Sequence, residues 1–335
     1  MTSELPALSS GERRQLRQLG ITDFPALIQR LGPQGWRAFL DFFSASIPNQ
    51  NTKRAYLRAV WEFLGRCEDS GIEELVHIEP FMVGAYVEHL GKPKDAGGLG
   101  LSKASVKLKL AAIRSFFDHL VVHQVLPKSP ALSVRGPKLK VRKGKTPVLS
   151  LEDFQKLTET IDTSTLVGKR DFAWLTVAFT SWCRVSAVTA LRLKDYEHSG
   201  KRSFLHVEEK GGEVDRMPIH HKAQDALDEL VAAAGLTDKD APLFQSVDRS
   251  GAYTGRQLLR NKAWEMVRRR ARQAGVPENI CTHTFRASGI TEFIRAGGRI
   301  ERAQRRAHHA DSRTTKLYDH SDDDVTLEDI ELVQF

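Results

Sequence analysis

Four polar islands in the second half of this 335-residue chain carry side chains able to bind an anion and react with it. The first runs Thr180-Ser181-Trp182-Cys183-Arg184-Val185-Ser186, with Arg184 at the junction of two helical patterns in an otherwise apolar setting. A guanidinium in such a place needs a carboxylate partner, as in an internal ion pair, or a phosphate. The second is Glu208-Glu209-Lys210-Gly211-Gly212-Glu213, the turn of an expected β-hairpin, where Lys210 is either simply exposed or aimed at a substrate. The third is His283-Thr284-Phe285-Arg286. Residues three apart on a helix share a face, so this imidazole and guanidinium either reach one anion together or serve as a cap and a surface pair. The fourth runs from His308-His309 to Tyr318, a tyrosine that is either a packing residue or a nucleophile. Adjacent histidines point apart on a helix, and no spaced third ligand accompanies them, so no metal is expected.

The elements that must position these islands follow from periodicity. Residues 152–162 and 168–181 read as helices, the first opened by Ser150 with Asp153 three residues later. A β-hairpin is expected at Ser203–Val207 and Val214–Ile219. Further helices are predicted at 221–234, 256–274, 284–296 and 300–307, with Gly275 and Pro277 ending the second of them.

In the first half, Ile47-Pro48 precedes Asn51 or Thr52, either of which can cap a helix running through Tyr56, Val60 and Leu64. A second helix is expected from Pro80 to Leu90. A third, from Ser102 or Lys103 to about Val122, has Val106, Leu110, Ile113, Phe117 and Leu120 as its apolar stripe. Lys103, Lys107 and Arg114 fall on one arc beside that stripe, either an ordinary solvated face or a phosphate-binding edge. Prolines break residues 127–147, where Arg135, Lys138, Lys140, Arg142, Lys143 and Lys145 stand without an acid among them. Such a segment is either a solubilising spacer or a basic linker that gains affinity for a nucleic-acid backbone by counterion release.

The resulting expectation is a mainly α protein with a small β-sheet. Its parts are an N-terminal helical extension (1–47), a helical DNA-binding domain (48–130), a basic linker (131–147) and a catalytic α+β domain (148–335) with a tail at 319–335. Composition agrees with a soluble chain: 41% hydrophobic, 27% charged, with a net charge of +8 that favours a polyanionic partner. No run of about 18 apolar residues is present, so no membrane span is expected. The N-terminus lacks the basic start and apolar core of a signal peptide. Three widely separated cysteines fit neither a disulfide framework nor a zinc cluster, which points to a reducing cytoplasm.

Taken together, Arg184, Lys210, His283 with Arg286, His309 and Tyr318 resemble the tyrosine recombinase, or phage integrase, family, which includes the Xer and Cre recombinases. The family pattern is an arginine in a helical island, a lysine in a β-turn, His-x-x-Arg, a His or Trp, and a tyrosine nine residues later. The order and distances agree here. The first half looks like the family's helical core-binding domain. Two positions depart from the pattern: Ala187 stands where an acid is common, and His308 where glycine commonly precedes the histidine.

The resemblance implies cleavage and rejoining of double-stranded DNA through a 3′-phosphotyrosyl link to Tyr318 and a Holliday junction, without metal, cofactor or ATP. A phenol titrates near about 10, so Tyr318 needs activation. Arg184 and Arg286 can stabilise the charge on the non-bridging oxygens, and His283 can take the phenolic proton. The resemblance further gives Lys210 the protonation of the leaving 5′-oxygen and His309 a hydrogen bond to the phosphate. It also implies a homo-tetramer on two DNA sites, acting in the cytoplasm at the nucleoid, often for a mobile genetic element. The tail then docks either on a neighbouring protomer or on its own domain. A type IB topoisomerase-like relaxation activity and a catalytically silent DNA-binding regulator are the alternatives.

Overall fold

The computed structural model describes residues 24–139, 146–208, 214–309 and 311–318. Lys140, Arg142, Lys143, Lys145, Lys210 and the tail at 319–335 lie outside the described residues, as do residues 1–23. The chain divides into two compact units, 1–140 and 141–335.

The described part of the first unit is helical: α1 (Ala26–Gln29), α2 (Pro33–Ser44), α3 (Gln50–Asp69), α4 (Pro80–Gly91) and α5 (Lys103–Val122). The helix after Pro48 is capped earlier than expected. The side chain of Asn49 accepts from the backbone N–H groups of Asn51 and Thr52, so those two residues already belong to the first turn. Ser102 caps α5 through Ser105 N–H. All five residues of the α5 stripe are buried, each contributing about 1.5–3 kcal/mol of apolar transfer free energy. They meet Phe39, Phe42, Phe43 and Phe63 in one aromatic-rich core. Lys103 and Lys107 are exposed. Arg114 departs from the shared basic edge: it is half-buried, and its guanidinium donates to the carbonyls of Ala131 and Val134. Two of its N–H groups thereby tie the segment leaving α5 back onto the helix.

The second unit holds α6 (Leu151–Glu159), α7 (Leu166–Ser181), α8 (Val185–Ala190), β1 (Tyr196–Ser199), β2 (Arg202–Glu208), β3 (Val214–Pro218), α9 (His221–Ala234), β4 (Gln245–Val247), β5 (Tyr253–Gln257), α10 (Arg260–Ala274), α11 (Thr282–Arg295), α12 (Ile300–Arg306) and α13 (Ser312–Lys316). Ser150 caps α6 through Asp153 N–H at 3.1 Å. The apolar helix α7 is central, packing on α9 and α11. Trp174, Leu175 and Val177 are buried within it.

The expected hairpin is part of a three-stranded antiparallel sheet, β1-β2-β3, in which Val207 faces Asp215 and Glu208 faces Val214. The region 256–274, read as one helix, is divided. Residues Tyr253–Gln257 pair with Gln245–Val247, and the helix starts only at Arg260. Beneath this ribbon the fully buried Asp171 accepts from Arg170, Arg269 and Arg270.

Candidate active site

The site begins at a forced reversal of the chain. Helix α7 ends at Ser181, and Trp182 adopts φ +60°, a left-handed conformation that side chains other than glycine seldom take. The reversal lets Arg184 stand at the N-terminus of α8 with extended backbone dihedrals. Two arginines hold the turn. Arg286 Nη1 donates to the carbonyl of Trp182 at 2.5 Å. Arg306 lies over the Trp182 ring, 4.6 Å from its centroid, and its Nη2 donates to Thr180 O at 2.7 Å. Gly289 on α11 packs against the same indole, and a Cβ there would collide with it and with the Phe179 carbonyl.

Arg286 and His283 come from α11, three apart as the sequence indicates. Arg286 is buried, and a second arm of its guanidinium donates to the carbonyl of Ala307 at the end of α12. A guanidinium carries five N–H donors. At least two of Arg286's five therefore bind main-chain carbonyls, locking the α7–α8 turn and the α12 end to α11. His283 keeps an open face to solvent. Desolvation by its neighbours, joined by the charges of Arg286 and Arg184, nonetheless pushes its pKa below the ordinary value.

His309 follows α12. Its Nδ1 is 2.9 Å from Thr315 Oγ1. Desolvation, then the charges of Arg286 and Arg184, press its pKa down to about 4, so the ring is neutral near pH 7. A Thr315 hydroxyl donating to Nδ1 leaves the ring proton on Nε2, where it can donate to an oxyanion.

Tyr318 lies two residues past α13 and is buried. Its ring stacks on His309, centroids 5.8 Å apart and planes 14° from parallel. The Tyr318 carbonyl accepts from Thr291 Oγ1 at 3.4 Å. The phenolic oxygen lies 3.5 Å from His283 Nε2. Burial raises the phenol's pKa while Arg286 works in the opposite sense.

The structure thus gathers Arg184, His283, Arg286, His309 and Tyr318 into one neighbourhood. Lys210 belongs to the connection 209–213 between β2 and β3, outside the described residues. Sequence reasoning missed Trp182, Thr315 and Arg306. Thr315 carried a weak signal, a hydroxyl three residues before Tyr318; the other two had none. A groove of about 790 Å³ lined by Ser186, Thr189, Arg260, Asn261, Trp264 and Thr282 adjoins the site, with Thr282 next to His283 in the chain. Ala187, where the acid is missing, lines a separate cavity of about 390 Å³ with His206, Glu208 and Val214. Among the described residues no helix is long and apolar enough to cross a membrane.

Comparison with known proteins agrees with this arrangement. Residues 147–324 match the model of the phage integrase family, and residues 39–124 match the phage integrase N-terminal SAM-like domain. Tyrosine recombinase XerD of Listeria monocytogenes is 28% identical over 222 residues, covering 66% of this chain and 73% of the relative. Tyrosine recombinase XerC of Thermodesulfovibrio yellowstonii is 28% identical over 282 residues, covering 82% and 87%. The fold is shared with a crystal structure of XerH site-specific recombinase bound to palindromic difH substrate, a post-cleavage complex. That match has a TM-score of 0.66 and 17% identity, over 98% of this chain and 97% of that one. It is shared too with a lambda integrase tetramer bound to a Holliday junction, with a TM-score of 0.63 and 16% identity over 87% and 80%. Five of the six expected side chains converge in the region that the family model covers, and that region is more than half of the protein: the chain belongs to the phage integrase family and is a tyrosine recombinase, an enzyme that cleaves and rejoins DNA.

Proposed function

We propose that this protein is a site-specific recombinase whose nucleophile is Tyr318 and whose charge-stabilising groups are Arg184 and Arg286. The observation that carries the reading is the 3.5 Å approach of the Tyr318 oxygen to His283 Nε2 beside those two guanidinium charges. Phenols are weak nucleophiles at neutral pH, and a neutral imidazole at this distance is a fitting base. His283 takes the phenolic proton as the Tyr318 oxygen bonds to phosphorus. The bond from phosphorus to the 5′-oxygen breaks, and Lys210 gives that oxygen its proton. His309 donates to a non-bridging oxygen. The 3′-phosphotyrosyl bond keeps the energy of the ester it replaced, so a 5′-hydroxyl from a partner duplex reseals the strand without ATP. The chemistry needs no metal, because the cationic side chains stabilise the charge that builds on the phosphoryl oxygens.

The N-terminal helical domain (48–130) and the basic linker (131–147) hold the duplex, with Lys103, Lys107, Lys138, Lys140, Arg142 and Lys143 meeting phosphates. The exposure of Lys103, Lys107 and Lys138 supports that reading; the carbonyl contacts of Arg114 move it to a bracing role. The active assembly is a homo-tetramer on two DNA sites that passes through a Holliday junction, working at the nucleoid. Helix α2 belongs to the N-terminal helical domain, since its Phe39, Phe42 and Phe43 share one core with α5.

A suicide-substrate assay on DNA from the flanks of the gene tests the reading. Wild type is expected to give a covalent adduct at one sequence and Tyr318→Phe none. Relaxation of any supercoiled plasmid without a preferred site would show a topoisomerase instead. DNA binding with no adduct from the wild type would show a silent regulator.

A further inference from the structure

Strand β3 touches two of the islands that build the site. Buried Met217 places its sulfur 3.8 Å from the sulfur of Cys183, the residue before Arg184. Side chains alternate along a strand, so Asp215 lies on the same face as Met217. Nε2 of His308 donates to Asp215 Oδ2 at 3.0 Å. His308 immediately precedes His309, and its backbone is left-handed, with φ +48°. Glycine would meet no strain there, whereas histidine is one of the few side chains that tolerate it. What the strained residue provides, and glycine would not, is the ring that reaches Asp215. Val207 faces Asp215 and Glu208 faces Val214 in the last rung of the ladder, so the connection carrying Lys210 begins one pair beyond this contact.

We propose that His308 and Asp215 form a latch holding the start of β3 to the His309 loop, making both positioning residues for proton delivery to the leaving 5′-oxygen. The inference rests on the role given to Lys210 above. Both side chains keep solvent access, at 32% and 41% exposure. Exposed pairs add little to global stability, so the latch acts on placement and not on folding. Asp215 also faces Arg306, which is why the two partners are tested separately.

The test is single-turnover cleavage of a suicide duplex carrying the target site, in two forms. One has the ordinary phosphodiester; the other has sulfur in place of the bridging 5′-oxygen at the scissile phosphate. A thiolate departs without a proton, so the sulfur substrate bypasses the acid. His308→Gly and Asp215→Ala are expected to slow the ordinary substrate about tenfold, the scale of a small misplacement. Both should bind DNA as wild type does and cleave the sulfur substrate at the wild-type rate. Asp215→Asn, which keeps an acceptor oxygen, should recover most of the loss, and the double variant should be no slower than either single one. His308→Gly relieves the backbone, so an undiminished melting temperature excludes misfolding. Lys210→Ala run alongside separates the two levels. Absence of sulfur rescue in Lys210→Ala overturns the acid assignment and the latch with it. Rescue there, with His308→Gly either cleaving the ordinary substrate at full rate or staying slow on sulfur, overturns the latch alone.

Discussion

The oxygen of Tyr318 stands 3.5 Å from Nε2 of His283, although 35 residues separate them in the chain. Burial keeps the phenol protonated, and desolvation with two nearby guanidinium charges keeps the imidazole neutral. An acid that holds its proton beside a base ready to accept it is the state from which nucleophilic attack starts. The contact lies within one protomer, which has a direct consequence for the assembly.

Nucleophile and arginines are expected to act in cis. Arg184→Ala and Tyr318→Phe should each fail to form adduct, and a mixture of the two proteins should fail as well. Recovery of adduct in the mixture would mean that tyrosine is delivered to a neighbour's site. Gel analysis of the covalent complex on a labelled suicide duplex reads this directly.

Stability is expected to fall in mild acid through His309. Its folded pKa of about 4 lies below the ordinary value of 6.5. Between those values the unfolded chain binds a proton that the folded chain refuses, so lowering the pH through that window favours unfolding. Melting curves from about pH 7 down to about pH 4.5 should decline less steeply in His309→Gln than in wild type. Equal slopes would show that this imidazole is not desolvated. His283, depressed in the same direction, should give adduct formation a base limb below the ordinary histidine range.

Arg306 is expected to matter to rate more than to binding. It lies over Trp182 and grips Thr180 O, bracing the turn that presents Arg184. Arg306→Met, which keeps much of the apolar stem, should slow cleavage about tenfold and leave DNA affinity nearly unchanged. Equal losses in both would point to a phosphate contact instead. Gel-shift titration and single-turnover cleavage separate the two.

Gly289→Ala should unfold the site from within. The new methyl group meets the Trp182 ring and the Phe179 carbonyl, and helix backbone on both sides prevents an easy escape. A cost of about 3 kcal/mol is expected for overpacking of this kind, read as a lower urea midpoint. An unchanged midpoint would mean that α7 and α11 pack more loosely than the structure shows.

Asp171→Asn should destabilise the catalytic unit by about 3–5 kcal/mol. One fully buried carboxylate serves Arg170, Arg269 and Arg270, and neutralising it leaves their positive charges without the negative charge that balances them. The urea midpoint of the variant checks this; a shift no larger than that of an exposed pair would show the cluster to be solvated.

Much of this protein was legible locally. Helix α5 and helix α9 have the bounds that the periodicity indicates, because an amphipathic stripe and a capping residue are written in neighbouring positions. The cap before α3 was misplaced by two or three residues, since Asn49, Asn51 and Thr52 all suit that role and only the backbone path chooses among them. The last two residues of strand β5, Arg256 and Gln257, were taken for the start of α10, because a short ribbon draws its stability from a partner strand and leaves little period of its own. The types and order of Arg184, His283, Arg286, His309 and Tyr318 were visible for the same reason as α5: each lies in a short run with its own pattern.

Their geometry was not visible. Arg286 turns two donors onto the carbonyls of Trp182 and Ala307, 104 and 21 residues away, and His309 leans on Thr315 beneath the Tyr318 ring. No local pattern encodes a contact of that separation. Propensity and periodicity act within a few residues, whereas which carbonyl meets which guanidinium depends on how α7, α11 and α12 pack, and only the folded chain decides that.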